Sequence, residues 1–214
     1  SGGIVTPKEK QSIAYSLVSY LFVFPIFRII FRGRTLGISN VPKKGPLIVV
    51  ANHGSDFDPP ILGHALGRPI SFMAKKELFL VPFLSQIIRA CGAYPVSRGS
   101  SDREAIRTAS NLLQKGSAIG IFLDGTRQKN GRVNKPRAGA ALLAARSGAN
   151  LLPVAIINSH RAWGKSRWPR LVPIHLRIGE PIQAPKGTRK VDLQETTNNL
   201  QITINKLIDK GLLK

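Results

Sequence analysis

The chain has 214 residues, of which 43% are hydrophobic, and its 32 Lys and Arg against 11 Asp and Glu give a formal net charge of +21. This length suits one domain with a full hydrophobic core, and the apolar content excludes a disordered basic tail. The positive charge predicts a polyanionic partner: nucleic acid, an anionic membrane surface, or an acidic protein or ligand. The single cysteine excludes an intrachain disulfide and a cysteine-based zinc site, and we expect no metal site.

The first long apolar segment lies at 12–31 and is interrupted only by one proline and one arginine. It approaches the roughly 20 apolar residues that a membrane-spanning helix needs. Ser12, Ser16 and Ser19 fall on one helical face. We therefore predict a helix that is embedded in one leaflet and packs on the domain through these small residues. A spanning helix, a signal peptide and an ordinary buried helix are the alternatives.

The rest of the chain alternates short apolar runs with amphipathic segments. Strands are predicted at 35–39, 46–51, 70–74, 92–96, 118–123, 151–157 and 174–178, the first two joined by a Pro-Lys-Lys-Gly turn. Helices are predicted at 60–66, 101–115 and 139–146, and a closing helix has the inner face Leu193, Thr197, Leu200, Ile204 and Leu207. The segment 77–91 is apolar again, and core packing is favoured there over a second membrane contact.

This pattern predicts an α/β fold: a single domain with a mixed central sheet flanked by helices, plus an N-terminal apolar membrane-associated helix. We place the membrane-associated helix at 8–32 and the domain at 33–214.

A candidate catalytic pair follows the second predicted strand, in Asn52-His53-Gly54-Ser55-Asp56-Phe57-Asp58. Histidine is the commonest general base near neutral pH, and a carboxylate on its other ring nitrogen fixes the tautomer. No Gly-x-Ser-x-Gly elbow occurs, and Cys91 lacks the local signature of a nucleophile. A base without an enzyme nucleophile indicates that the substrate's own hydroxyl attacks. The alternative is a loop histidine followed by a helix-capping aspartate.

Four sequence blocks resemble those of the glycerolipid acyltransferases. Asn52-His53 with Asp58 is similar to the family's Asn-His-x4-Asp motif. The segments 92–98, 122–127 and 152–155 resemble the second, third and fourth blocks, in family order. Each block alone has low specificity, and the four together have high specificity.

The resemblance implies that His53 takes the proton from the 2-hydroxyl of lysophosphatidic acid as that hydroxyl attacks an acyl thioester. Asp58 would orient His53 and stabilise its charged form. Arg98 and Arg127 would hold the acceptor's phosphate, with Lys75 as a third candidate contact, because the guanidinium fork matches phosphate oxygens in pairs. The other predicted site residues are Asn52, Asp124, Gly125, Thr126 and Pro153. The implied donor is acyl carrier protein or CoA carrying the acyl group, and no cofactor is implied.

The third block departs from the family pattern at two positions. Leu123 stands where the family usually has proline, and Asp124 stands where it has glutamate. Asp124 keeps the charge but is one methylene shorter, which leaves its contact open. Gly125 has no side chain, so the backbone at Gly125 and Thr126 can approach an anion closely. Pro153 would shape the site without reacting.

A basic loop at 161–170 contains Trp163 and Trp168 among Arg161, Lys165, Arg167 and Arg170. Such a loop suits an anionic membrane surface, where indole lies at headgroup depth, and it also suits single-stranded nucleic acid. We expect no nucleic acid partner, because the apolar N-terminus has no role there and no helix-turn-helix, zinc-finger or RRM signature is present. The expected location is the cytoplasmic face of a bacterial inner membrane or an equivalent organelle membrane.

Three other functions remain open on the sequence alone. The same histidine base would serve an acyltransferase for glycerol-3-phosphate or another lysophospholipid. The charge and the tryptophan loop fit a basic nucleic-acid-binding protein. A structural protein of the membrane surface with an inactive site is the third.

Overall fold

The computed structural model describes residues 7–75, 79–82, 84–90, 92–96, 102–162 and 168–214. Its strands are β1 Arg34–Leu36, β2 Leu47–Ala51, β3 Ile70–Lys75, β4 Tyr94–Val96, β5 Ala118–Phe122, β6 Asn150–Ile157 and β7 His175–Ile178. Its α-helices are α1 Pro7–Val18, α2 Asp58–Leu66, α3 Leu84–Ala90, α4 Asp102–Gln114, α5 Gly139–Ser147, α6 Ser159–Ala162 and α7 Lys190–Asp209. The predicted sequence of strands and helices is therefore largely confirmed.

The strands form one sheet in the order β1-β7-β6-β2-β5-β3-β4. Strand β2 runs parallel to β5 on one side and to β6 on the other, and β3 and β4 continue the parallel part. Strand β7 is antiparallel to β6, which makes the sheet mixed and confirms the predicted fold class. In open α/β sheets, ligands bind beyond the carboxyl ends of parallel strands. The ends of β2 to β6 meet at one such edge.

The first predicted strand is shorter than expected and does not pair with the second. It ends at Leu36, because Gly37 has a φ of +95° and the chain then forms a 3-10 turn at Ile38–Asn40. Strand β1 pairs with β7 through Thr35 and Leu176. The two strands predicted to be joined by the Pro-Lys-Lys-Gly turn are thus separated in the sheet by β7 and β6.

Strand β2 lies between two apolar layers, and all five of its residues have no exposed surface. Leu47, Val49 and Ala51 pack in the layer that includes α2, whereas Ile48 and Val50 pack in the layer of α4, α5 and α7. Burying one such large aliphatic side chain is worth about 1.5–3 kcal/mol. The strand that precedes the candidate histidine is therefore anchored in both apolar layers.

The closing helix α7 covers one face of this core. Thr197, Leu200 and Ile204 are buried, and Leu193 and Leu207 are half-buried, so the predicted inner face is confirmed.

The N-terminal helix α1 continues into two π-helical segments, Ser19–Val23 and Pro25–Ile30. Proline removes a hydrogen-bond donor from the helix interior, which accounts for the wider turns around Pro25. The stretch Ile13–Ile30 has a mean hydropathy of 1.9 and is long and apolar enough to cross a membrane, yet only 6% of it is buried. The alternative of an ordinary buried helix is therefore wrong, and an exposed apolar helix suggests membrane association. The choice among a helix embedded in one leaflet, a spanning helix and a signal peptide stays a prediction.

The helix packs on the domain through Ser19 of the predicted face and through aromatic residues that were not predicted. Ser16 is exposed, whereas Tyr15, Ser19 and Phe27 contact the domain. The Tyr15 hydroxyl occupies the space that a side chain at Gly63 of α2 would need. The packing face is largely aromatic because this glycine leaves room for a ring. The division into 8–32 and 33–214 stays a prediction.

Candidate active site

The candidate histidine and aspartate are in direct contact. Asp58 is the first residue of α2 and is fully buried. Its Oδ2 lies 2.8 Å from Nδ1 of His53, and the backbone N–H groups of Gly54 and Ser55 donate to the same oxygen at 2.8 and 2.9 Å. A helix N-terminus favours a negative charge. The six-residue segment from His53 to Asp58 thus folds around one carboxylate oxygen.

The contact with Asp58 decides which nitrogen of His53 faces the solvent. An ionised carboxylate only accepts hydrogen bonds, so Nδ1 of His53 donates its proton to Asp58. Nε2 of the neutral ring then carries the free lone pair. The His53 side chain keeps 14% of its surface exposed. The ring can accept a proton from a bound hydroxyl, and the catalytic role of the pair stays a prediction.

An aromatic stack that the sequence analysis missed holds the His53 ring. Phe122 lies parallel to it, with ring centroids 3.9 Å apart and planes at 15°. Phe72 of β3 stacks in turn on Phe122 at 5.4 Å, in space that Gly120 leaves open. Phe122 is the first residue of the third sequence block. The family resemblance therefore included this residue but did not predict its stacking on His53.

Asn52 links two strands to a neighbouring loop. Its Nδ2 donates to the carbonyl oxygens of Gly131 and Ile156, at 2.7 and 2.8 Å, and its Oδ1 accepts from the Ile156 N–H at 2.7 Å. The side chain is almost fully buried. These contacts support a role in holding the strand end, and the predicted contact with substrate stays a prediction.

The third block forms a turn that is fastened to the His53 loop. Gly125 has a φ of +72°, a conformation that favours glycine. The carboxylate of Asp124 accepts the backbone N–H groups of Asn134 and Lys135 at 3.0 and 2.9 Å. Asp124 therefore organises the basic loop that follows, and its predicted contact with substrate stays a prediction.

Arg127 lies next to the first block. The backbone N–H of Gln128 donates to the His53 carbonyl oxygen at 2.8 Å. Nη1 of Arg127 lies 3.3 Å from Oδ2 of Asp56, and both side chains are largely exposed. Exposed ion pairs of this kind contribute little to stability, so the guanidinium can turn to a bound phosphate. The structure thus brings together His53, Asp58, Arg127 and the exposed Gly125-Thr126 turn.

One further cation lies beside this turn. A Cβ added to Gly125 would lie 3.0 Å from Nη1 of Arg137, an exposed residue whose N–H donates to the Leu123 carbonyl oxygen at 2.8 Å. No role for Arg137 was predicted from the sequence, although this loop also contains Lys129, Arg132 and Lys135.

The structure places three predicted residues less directly. Lys75 ends β3 opposite Val96 of β4, and its side chain lies outside the described residues, as does the whole of Arg98. Pro153 is paired with Val50 inside the sheet, and its Cγ would lie 3.0 Å from a Cβ on Gly179. The roles of all three stay predictions. Within the described part of the chain, no group of three His, Cys, Asp or Glu side chains could hold a metal ion.

The structure thus has a parallel sheet edge that bears a His–Asp pair, with cations on the neighbouring loops. A family model described as Acyltransferase matches residues 33–157, more than half of the chain. The chain therefore belongs to the acyltransferase family.

Similar proteins share one name. A 1-acyl-sn-glycerol-3-phosphate acyltransferase of Borreliella burgdorferi is 31% identical over 61% of this chain and 53% of its own length. A chloroplastic protein of the same name from Arabidopsis thaliana is 28% identical over 64% of this chain and 38% of its own length. The chain thus spans about half, or less, of these two relatives.

A solved structure shares the fold. The 1-acyl-sn-glycerophosphate (LPA) acyltransferase from Thermotoga maritima aligns with a TM-score of 0.73 at 23% identity, over 97% of this chain and 82% of that one. This likeness supports the mixed α/β architecture and, at such identity, the fold alone.

Proposed function

We propose that this chain transfers a fatty acyl group from an acyl thioester to the 2-hydroxyl of 1-acylglycerol-3-phosphate, which gives phosphatidic acid. One observation carries the proposal: Nδ1 of His53 lies 2.8 Å from Oδ2 of buried Asp58 in a chain of the acyltransferase family. The names of the similar proteins support this choice of acceptor.

The geometry supports direct transfer in two proton movements. Nε2 of His53 takes the proton of the acceptor hydroxyl as its oxygen attacks the thioester carbonyl carbon. The carbon–sulfur bond then breaks, and the departing thiolate takes the proton from the imidazolium, so that an ester and a thiol are formed. Asp58 stabilises the imidazolium between these steps. General-base assistance of this kind contributes on the order of 10²–10⁴ in rate.

The acceptor's phosphate would bind to Arg127 and to the backbone of the Gly125-Thr126 turn. Arg98 and Lys75 are proposed as further contacts, because Lys75 ends β3, Arg98 comes two residues after β4 in the sequence, and these parallel strands end at the same sheet edge. The exposed residues Lys129, Lys135 and Arg137 add positive charge beside the turn. This charge suits either an acidic acyl carrier protein or the phosphates of acyl-CoA as donor.

The exposed N-terminal helix would hold the enzyme on an anionic membrane, where both the lysolipid and the product reside. The exposed Arg161, Trp168 and Arg170 would contribute to the same surface. The proposed location is the cytoplasmic face of a bacterial inner membrane or an equivalent organelle membrane, with 8–32 as the membrane-associated part and 33–214 as the catalytic domain.

A panel of acceptors tests the proposal. Labelled acyl-CoA and acyl carrier protein are each offered with lysophosphatidic acid, glycerol-3-phosphate or lysophosphatidylcholine in mixed micelles, and the products are identified by mass spectrometry. Phosphatidic acid formed from lysophosphatidic acid with at least one donor is the expected result. Preferred acylation of either of the other acceptors would contradict the proposed substrate.

A further inference from the structure

A second histidine lies behind the candidate catalytic pair. His160 is on the short helix α6, directly after β6, the parallel neighbour of β2. Asn158 adopts a φ of +73°, and its carbonyl oxygen accepts the N–H groups of Arg161 and Ala162 at 3.0 and 3.1 Å. The turn that delivers His160 to the edge of the sheet is therefore held by backbone hydrogen bonds.

His160 contacts the backbone on two sides of His53. A Cβ added to Gly54 would lie 2.8 Å from both the Cβ and the backbone nitrogen of His160. The ring points at Gly131, where an added Cβ would overlap Nδ1 of His160. Gly54 directly follows His53 in the chain, and Asn52 directly precedes His53. The carbonyl oxygen of Gly131 accepts a hydrogen bond from the Asn52 side chain. His160 thus fills the space between the two backbone segments that flank the base.

These contacts connect His160 to the geometry of the pair. The Gly54 N–H donates to the same Asp58 oxygen that holds Nδ1 of His53. A displacement of the Gly54 peptide would therefore change how Asp58 meets the ring. We propose that His160 is a positioning residue that fixes the Gly54 and Gly131 backbone and thereby the orientation of the His53–Asp58 pair. The expected effect of His160 on the reaction rate rests on the proposed acyl transfer. Its effect on the orientation of the His53–Asp58 pair does not depend on that proposal.

The charges around His160 agree with this placement. Burial and the neighbouring Arg161 lower the pKa of His160, whereas the carboxylate of Asp58 raises it. Asp58 is thus close enough to act on the second histidine as well.

The test compares His160→Ala, which removes the ring, with His160→Asn, which keeps a polar atom near the position of Nδ1. Acyl transfer to lysophosphatidic acid is measured for kcat and KM, and unfolding midpoints report stability. We expect His160→Ala to lower kcat about tenfold with KM nearly unchanged, and His160→Asn to recover most of that loss. His175→Asn is the matched control, since His175 lies two strands from β2 and accepts a hydrogen bond from the Leu213 N–H.

A rise in KM with kcat unchanged would overturn the proposal, because it would make His160 a substrate contact. Equal losses in His160→Ala and His175→Asn would also overturn it, because they would reflect general destabilisation.

A second readout does not depend on activity. The proton on Nδ1 of His53, hydrogen-bonded to Asp58, gives an NMR signal that is assigned by its loss in His53→Asn. We expect His160→Ala to shift or broaden this signal and His175→Asn to leave it in place. An unshifted signal in His160→Ala would refute the positioning role. If the unsubstituted chain acylates no lysophosphatidic acid, the proposed function fails, and the NMR comparison still decides the positioning role.

Discussion

Phe122 lies face to face with His53, with ring centroids 3.9 Å apart and planes at 15°. The contact joins the first and third sequence blocks through side chains that come from the ends of two adjacent strands. It fixes the plane of the imidazole, while Asp58 fixes the rotation of the ring within that plane. The base is thus held from two directions before any substrate binds.

We predict that Phe122→Leu lowers kcat by up to about tenfold, because aromatic pairs contribute about 0.5–1.5 kcal/mol beyond area burial. KM is expected to change little, since the substitution loosens the base without removing a substrate contact. Steady-state kinetics with lysophosphatidic acid measures both. The control is Phe31→Leu, which alters a buried core phenylalanine elsewhere. Equal loss of kcat in the two variants would show that core packing, and not stacking on His53, matters.

Arg127 is predicted to bind the acceptor's phosphate. Charge-assisted hydrogen bonds are worth about 1.5–3 kcal/mol, so Arg127→Ala should raise KM for lysophosphatidic acid by about 10- to 100-fold with a smaller change in kcat. Arg189→Ala is a matched control, because Arg189 is another exposed arginine paired with an aspartate, Asp192. An unchanged KM in Arg127→Ala would remove this residue from the phosphate site.

The sequence predicted the elements of the site better than their contacts. The motif of His53 and Asp58, followed by a predicted helix at 60–66, already indicated a loop that enters a helix, and the structure has this arrangement. Phe122 was marked only as part of a motif, because stacking between the ends of β2 and β5 depends on strand order. His160 lies more than 100 positions along the chain from His53, and no local spacing connects them.

Strand order also explains the errors in the fold. Local patterning identified β1 as a strand, but its pairing with β7 joins residues that lie 141 positions apart along the chain, such as Arg34 and His175. The aromatic contacts of the N-terminal helix were missed for a related reason. The three serines suggested close packing through small residues of the N-terminal helix itself. The space that admits Tyr15 is instead created by Gly63 of α2, the helix on which it packs.

His64 of α2 makes the junction with the N-terminal helix sensitive to pH. Its Nδ1 lies 2.8 Å from Oγ of Ser19, and burial, followed by the nearby Arg28, lowers the pKa of His64. The contribution of neutral His64 to the stability of the folded chain is fully present above the unfolded-state pKa of about 6.5. As the pH falls from that value to the folded-state pKa, the unfolded chain binds the proton first and stability is lost.

We therefore predict that the midpoint temperature of thermal unfolding decreases as the pH is lowered from about 7 to about 5. This decrease should be less steep in His64→Asn. Burial also lowers the pKa of His160 and His175, so part of the dependence persists in this variant. Thermal unfolding in detergent at several pH values measures both slopes. Identical slopes in the two proteins would show that His64 does not contribute.

The exposed face of the N-terminal helix is predicted to insert into lipid. Tyr20 and Phe22 are 71% and 63% exposed, so replacing both with serine should leave the fold intact. Burial of one aromatic side chain is worth about 1.5–3 kcal/mol, and the double variant should lose at least about tenfold in binding to vesicles of anionic phospholipid. Val191→Ser with Ile202→Ser, on the exposed face of α7, is the control in the same sedimentation assay. Equal binding by the Tyr20/Phe22 variant and the unsubstituted chain would contradict insertion of this face.

The central claim is that His53, held by Asp58, removes the proton from the acceptor hydroxyl. The most direct measurement is acyl transfer from a labelled acyl thioester to lysophosphatidic acid by the unsubstituted chain, His53→Ala and Asp58→Asn, with Asp192→Asn as the control for loss of a carboxylate. We predict that kcat falls by on the order of 10²–10⁴ in the first two variants, with the fold intact by circular dichroism, and stays unchanged in the control. A His53→Ala variant that keeps its activity would contradict the account and place the base elsewhere.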